Sequence, residues 1–217
     1  MTRPSPATGP GWPAQRLRAL AGRPRTVVDV GVSQGTPVLY EAFPDAYHVL
    51  VEPRAECEPR LREILRGVRG EYHLCAAGRR EEVRELRLEP RRAGRSSFLE
   101  RTALTATGDP LEARAVPVTT LDALRTAGRL RPPYLLKLDT EGFELEVLAG
   151  AGEFLRDTGL LIAEVSVARR FTGGYRFADF TAEADRLGFV LCDVLEVVRD
   201  ARSDEVKYVD AAFRREG

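Results

Sequence analysis

Lysine is nearly absent from this chain: Lys137 and Lys207 are the only two among 33 basic residues, and arginine carries the rest. That bias fits a GC-rich genome, and it makes each lysine conspicuous. Net charge is absent too, with 33 basic and 33 acidic residues. No global field gathers nucleic acid or an anionic membrane, so the expected partner is a small molecule. No apolar run approaches the roughly 20 residues that a membrane-spanning helix needs. Cys57, Cys75 and Cys192 are widely spaced and form no CxxC pair, which argues against a disulfide framework or a zinc knuckle and predicts free thiols. His48 and His73 each fall at the start of a strand pattern, where a lone histidine is packed or solvated, and no Ser-His-Asp arrangement emerges.

What is present is a 43% hydrophobic and 30% charged composition over 217 residues, the size of one generous globular domain. Four prolines fall in the first 13 residues, and the apolar segment of a secretory signal is missing. Residues 1–22 therefore read as a Pro-rich lead-in with a short helix, residues 23–217 as one domain, and the expected location is cytoplasmic.

Strand and helix patterns alternate along the domain. Val27–Val30 is an apolar run, Thr36-Pro37 offers an N-cap with proline at the first helical position, and His48–Glu52 is a second buried strand. Leu61, Ile64, Leu65 and Val68 recur at helical spacing, and Tyr72–Ala77 reads as a third strand. Val83–Leu88 alternates like a half-exposed strand, whereas Pro90–Ala115 is polar, aperiodic and expected to be a loop covering the site. Val116–Thr119 is extended, Thr120 caps a helix, Tyr134–Asp139 and Leu160–Val165 are further buried strands, and Phe177–Leu187 is a helix. Phe189–Val198 and Val206–Arg214, joined by a short polar link, suit a hairpin. The rhythm implies a mostly parallel Rossmann-like α/β sheet covered on both faces, closed by an antiparallel hairpin.

Two stretches carry the chemistry. Asp29-Val-Gly31-Val-Ser33-Gln-Gly35 ends the first strand, where an open α/β sheet binds its ligand and a glycine turn lets backbone come close. Glu52 ends the second strand 21 residues after Gly31, placed to accept hydrogen bonds from a ribose diol. Together they suggest an adenosine-type ligand, although Asp-x-Gly after a strand also serves as a plain tight turn. The turn is DxGxxxG rather than GxGxxG, which disfavours a dinucleotide pyrophosphate.

The second stretch is Lys137-Leu-Asp139-Thr-Glu141-Gly142-Phe-Glu144. Period two puts Lys137 and Asp139 on one strand face, joined by Glu141 if extension persists. They read either as catalytic groups or as a buried ion pair that completes the sheet end. Glu164 is a carboxylate inside a strand expected to be buried on both faces. Asp139, Glu141 and Glu164 could together offer a divalent cation its oxygen ligands, though no spacing demands one. Arg91-Arg92, Arg95 and Arg169-Arg170 read as solvated loop charge, with a lesser prospect of holding an anionic part of a substrate.

The stretch VPVTTLDALRTAGRLRPPYLLKLDTEGFELEVLAGA, Val116 to Ala151, resembles the signature of FkbM-type S-adenosylmethionine-dependent methyltransferases: Thr-Leu-Asp, then Lys-x-Asp-x-Glu-Gly-x-Glu, then a Leu-x-Gly-Ala helix end. The Asp29 turn, Val51-Glu-Pro53, the Ser96-Ser-Phe98 loop, Glu164 and the closing YVDAAFRR fit as well, over about residues 26–215. The resemblance implies a class I, seven-stranded methyltransferase sheet. It places Asp29, Gly31, Ser33 and Gly35 against the methionine moiety, Glu52 on the ribose, and Cys75 and Ala76 near adenine. It also implies that Asp139 lies near the cofactor's amino group or the reacting centre and that the acceptor is a hydroxyl on a sugar or natural-product scaffold; in-line methyl transfer then asks Asp139 or Glu141 to accept or position the hydroxyl proton, with Lys137 stabilising the carboxylates or the developing alkoxide. This chain departs from the family's turn at Val32-Ser-Gln34 and lacks an Asn before Ala76-Ala77. The rival readings are a nicotinamide-dependent oxidoreductase, which lacks its GxGxxG and Tyr-x-x-x-Lys, and a cofactor-binding scaffold without catalysis.

Overall fold

A computed structural model describes residues 12–89, 93–106, 108 and 110–216. Its first strand, β1 (Thr26–Val30), is buried at every position, as expected of a strand covered on both faces. β2 (Tyr47–Val51) and β3 (Gly70–His73) extend the sheet on one side of β1, all parallel. The chain then returns to the other side of β1 with β7 (Tyr134–Leu138) and β8 (Thr158–Ser166), also parallel. β9 (Phe189–Arg199) and β10 (Val206–Arg215) form the expected hairpin. The order is β3-β2-β1-β7-β8-β10-β9, so the strand that comes last in the chain is inserted between β8 and β9, antiparallel to both. The seven-stranded, mostly parallel sheet with a closing antiparallel strand is therefore as the sequence implies.

Alternation along the strands sorts the core into two layers. Val27, Leu135, Ile162 and Ala212 face α1 (Ala14–Ala21) and α2 (Pro37–Ala42), together with Trp12, Leu17 and Leu39. Val28, Leu136, Leu161 and Phe213 face the opposite layer, which holds α4 (Leu121–Ala127), α5 (Glu144–Ala149), α6 (Gly152–Arg156) and α7 (Phe177–Arg186). A further helix, α3 (Glu58–Gly67), covers Leu50 with Leu61 and Ile64. Residues 1–11, most of the Pro-rich lead-in, lie outside the described residues; Trp12 and Leu17 are packed into the core at 4% and 0% exposure. Among the described residues no helix is long and apolar enough to cross a membrane. Cys57 and Cys75 are buried, Cys192 half-buried, and all three are free.

Two expectations need correction. The strand expected over Tyr72–Ala77 is broken: β3 ends at His73, and β4 (Ala76–Ala77) leaves for a second sheet. The cause is loss of a partner. Glu52 N–H still donates to the His73 carbonyl at 3.1 Å, but β2 then runs into Pro53, which has no N–H to offer. β4 instead pairs with β6 (Glu112–Thr119), which is itself antiparallel to β5 (Glu82–Leu88). That pairing also corrects the loop expected over Pro90–Ala115, whose last four residues belong to β6. Glu112, Ala113 and Arg114 show no apolar alternation because none of them is buried.

Thr120 does cap α4, its Oγ1 accepting from the Ala123 N–H at 3.0 Å. Thr120→Ala is expected to lower unfolding free energy by about 1 kcal/mol. Urea denaturation checks it, and no change in the midpoint would show that the cap is immaterial.

Candidate active site

The chain reverses direction across the sheet between β1 and β7, and in open α/β sheets the ligand crevice lies at such a point, beyond the carboxyl ends of the strands. There the backbones nearly touch. Gly31 has φ +80°, and a Cβ on it would fall 1.8 Å from the Asp139 carbonyl oxygen, so only glycine fits. Asp139 N–H donates to the Val30 carbonyl at 3.0 Å and Gly31 N–H to the Val51 carbonyl at 2.9 Å, tying three strand ends together. Above them opens a cavity of about 450 Å³, within the usual range for a small-molecule site.

On the β1–β2 side, Glu52 is 3% exposed. Its Oε2 accepts from Ser33 N–H at 2.8 Å, and its Oε1 accepts from Arg54 N–H and Nε at 3.1 and 2.9 Å. Ser33 holds φ +48°, a left-handed backbone that this bond stabilises. A carboxyl oxygen can accept more than one hydrogen bond, so Oε2 keeps acceptor capacity beyond the Ser33 bond, and Glu52 lines the cavity. Gly31, Ser33, Gly35, Glu52 and Ala76 all line the cavity, while Cys75 belongs to the main core and does not. The wall beside Ala76 is apolar, made by Leu86, Phe98 and Phe143, with the two phenyl rings 4.8 Å apart.

On the β7 side, Lys137 is 5% exposed and its Nζ lies 3.1 Å from Asp29 Oδ1 and 3.6 Å from Asp139 Oδ2, donating also to the Gly31 carbonyl at 3.3 Å. Burial works against its charge, but Asp29 and Asp139 outweigh that and hold its pKa above the usual lysine value. Asp29 sits behind the cavity, where its Oδ2 accepts from the Tyr40 hydroxyl at 3.0 Å. Thus Lys137 does form a buried ion pair, chiefly with Asp29. Asp139 is left facing the cavity with 38% of its side chain exposed. Burial of its surroundings, then the charges of Glu141 and Glu144, outweigh Lys137 and push its pKa up to about 6.

Glu141 and Glu164 turn out to be held rather than free. Arg170 forms ion pairs with both, and Arg101 reaches Glu141 Oε2 at 3.0 Å. Arg170 is 3% exposed whereas Arg169 is exposed, so the expectation of solvated charge holds for the latter alone. Burial of Arg170 follows from its partners: two carboxylates, and the rings of Phe171 and Tyr208 at 5.2 and 4.5 Å. Arg95 is engaged too, by Glu89 at 3.1 Å; Arg91 and Arg92 lie outside the described residues. Carboxylate oxygens of Asp139, Glu141 and Glu164 lie within 4.8 Å of one another, yet a guanidinium already bridges two of them. Burial and nearby Asp139 raise the Glu164 pKa well above the usual value, with Arg170 opposing them.

Sequence reasoning left several contributors unassigned. Glu144 Oε1 accepts from the N–H groups of Thr140 and Gly142 at 2.8 and 3.2 Å, and its Oε2 from the Tyr175 hydroxyl at 2.7 Å, fixing the turn that follows Asp139. Asp210, Glu196, Tyr208 and Trp12 line the far end of the same cavity. The signal for Asp210 was available, an acid in a strand flanked by Val209 and Ala211. His48 and His73 are not on the cavity wall; the former bonds the Phe43 carbonyl at 2.9 Å.

A sheet of this order, with a glycine turn, an acid at the end of β2 and an acid at the end of β7 about one crevice, defines the class I methyltransferase fold. The chain matches the methyltransferase FkbM domain over residues 29–191, more than half its length, and it belongs to that family. It is similar in structure to a methyltransferase FkbM from Methylobacillus flagellatus KT, at 16% identity and a TM-score of 0.53, over 88% of this chain and 43% of that one. A putative O-methyltransferase from Klebsiella pneumoniae gives 14% identity and a TM-score of 0.52, over 94% and 78% of the two chains. TehB from Haemophilus influenzae gives 8% and 0.51, over 94% and 61%. The chain thus spans less than half the length of the first of these. No curated protein matches it.

Proposed function

We propose that this chain transfers the methyl group of S-adenosylmethionine to a hydroxyl of a small molecule, with Asp139 as the carboxylate that receives or holds the hydroxyl proton. The observation that carries this reading is the position of Asp139: a cavity-facing acid beside the Gly31 turn, with a pKa of about 6 suited to a base at neutral pH. Glu141, tied to Arg101 and Arg170, is a positioning group here.

The residues fit the cofactor. The Gly31 turn lines the cavity and is packed so closely on the Asp139 backbone that no side chain fits, Glu52 Oε2 can accept from a ribose hydroxyl, and Ala76, Leu86, Phe98 and Phe143 offer apolar surface to a purine. S-adenosylmethionine supplies an electrophilic methyl for in-line displacement, which makes alignment the main task of the protein. Lys137 holds the Gly31 carbonyl and Asp139 in fixed relation, and Arg170 already supplies the positive charge that a divalent cation would bring to Glu141 and Glu164. The reading therefore does without a metal.

S-Adenosylhomocysteine at 100 times its Kd is expected to stabilise the fold by about 2.7 kcal/mol, and NAD to leave it unmoved, in thermal denaturation. Stabilisation by NAD alone would return the oxidoreductase reading. Isotopic methyl transfer from S-adenosylmethionine to a hydroxyl oxygen, unaffected by EDTA, separates an enzyme from a cofactor-binding scaffold.

A further inference from the structure

The tyrosine hydroxyls of this chain are matched, with one exception. Tyr40, Tyr47, Tyr72 and Tyr175 donate to Asp29, Glu71, Glu58 and Glu144 at 3.0, 2.9, 2.6 and 2.7 Å, and Tyr134 shares a hydrogen bond with the Arg125 side chain. Tyr208 is the sixth, and among the described residues its hydroxyl has no hydrogen-bond partner. Nor is that hydroxyl sealed away. Tyr208 lines the cavity and is half-buried, and its oxygen is not one of the fully buried polar atoms left without a partner.

The ring is held in place without any help from the hydroxyl. Tyr208 lies within β10, paired with Ser166 of β8 and Val198 of β9, and its ring centroid is 4.5 Å from the Arg170 guanidinium. Arg170 is itself clamped by Glu141 and Glu164, whose carboxylate oxygens lie within 4.8 Å of those of Asp139. The phenol is thus ordered before a ligand arrives, which lowers the entropy lost on binding. Burial first, then Glu164, Asp139 and Asp210 against Arg170, hold its pKa above the usual phenol value, so it stays protonated and able to donate. The donors near it are taken: Lys137 by Asp29 and Asp139, while the Trp12 indole N–H acts on Asp210. An accessible O–H donor with no acceptor in the protein selects an oxygen atom on the ligand.

The oxygen that reacts is the wrong atom for that bond. It has to direct a lone pair at the methyl carbon and release its proton towards Asp139, and a donor on the same oxygen would make it a weaker nucleophile. Resting on the methyltransferase reading above, we propose that Tyr208 binds the methyl acceptor, its hydroxyl donating to a second oxygen of the molecule whose reacting hydroxyl faces Asp139. The acceptor class is then one with at least two oxygen atoms, and Tyr208 fixes which of them is turned towards the base.

Two probes test this on the full chain saturated with S-adenosylhomocysteine. myo-Inositol offers a second oxygen at every spacing around its ring, and cyclohexanol offers none. Their affinities are measured by saturation-transfer NMR for the wild type and for Tyr208→Phe, which keeps the ring on Arg170 and removes only the hydroxyl. The variant is expected to bind myo-inositol about tenfold more weakly, the scale of one hydrogen bond. Its affinities for cyclohexanol and for S-adenosylhomocysteine should stay within twofold, and its melting temperature should not fall, because the lost hydroxyl has no partner in the protein. No binding of myo-inositol to the wild type, an equal effect on both probes, no effect on either, or a lower melting temperature would overturn the proposal. Failure of S-adenosylhomocysteine itself to bind would instead overturn the cofactor reading on which it rests.

Discussion

Asparagine in place of Asp139 is expected to lower methyl transfer by about 100-fold or more, the usual contribution of a positioned base. Folding should survive, because Lys137 keeps Asp29 at 3.1 Å and no buried charge is orphaned. The pH dependence gives the role a signature. In the wild type, turnover should rise with pH through about 6 as Asp139 ionises, and the asparagine variant should lack that limb. Stability should move the opposite way. The folded pKa lies above the unfolded one, so the native state binds the proton more tightly. Its stabilising effect is complete below about pH 4 and is lost as pH rises through about 6. The variant should therefore match the wild type near pH 4 and exceed it at pH 8. Near-normal turnover in the variant would remove Asp139 from the chemistry.

Arg170→Met is expected to be the most damaging change to stability, about 3–5 kcal/mol at pH 8, the range for breaking a buried ion pair by removing one partner. It leaves Glu141 with Arg101 alone and Glu164 with no cation, both within 4.8 Å of Asp139. The loss should be smaller at pH 5 than at pH 8, because burial and nearby Asp139 raise the Glu164 pKa well above the usual value and the carboxylate takes up its proton more readily as pH falls. Adding Glu164→Gln should recover part of it at pH 8. Urea denaturation of the single and double variants at both pH values measures the coupling. A loss under about 1 kcal/mol at pH 8 would mean that the pair breaks even against its desolvation.

The order of elements was legible because parallel strands buried on both faces read as unbroken apolar runs, and Val27–Val30, His48–Val51 and Tyr134–Leu138 are such runs. So were the charged residues that interrupt buried strands, since Asp29, Lys137 and Glu164 stand out against apolar neighbours. What stayed hidden depends on pairing between distant segments. Nothing within Tyr72–Ala77 announces that its last two residues pair with Val118 and Thr119. The fate of Arg170 was equally nonlocal: an arginine beside another arginine in a polar link reads as solvated, and only the fold brings Glu141 and Glu164 to it. Among the acids of the cavity, sequence periodicity could say which face Asp139 shares with Lys137. It could not say that Glu141 would be claimed by arginines and Asp210 left without one.

The position of β10 inside the sheet gives the chain an order of assembly. Among the described residues β9 has no neighbour other than β10, so its backbone N–H and C=O groups can enter the sheet only once β10 has been made. A nascent chain that stops short of Val206 would hold β8 as an open edge with Glu164 on it, the register partner Asp210 not yet made. The half of the cavity built from β1, β2 and β7 can form before β10 is made, while the end lined by Tyr208 and Asp210 waits for it, a division that pulse-labelled hydrogen exchange on stalled chains would read strand by strand.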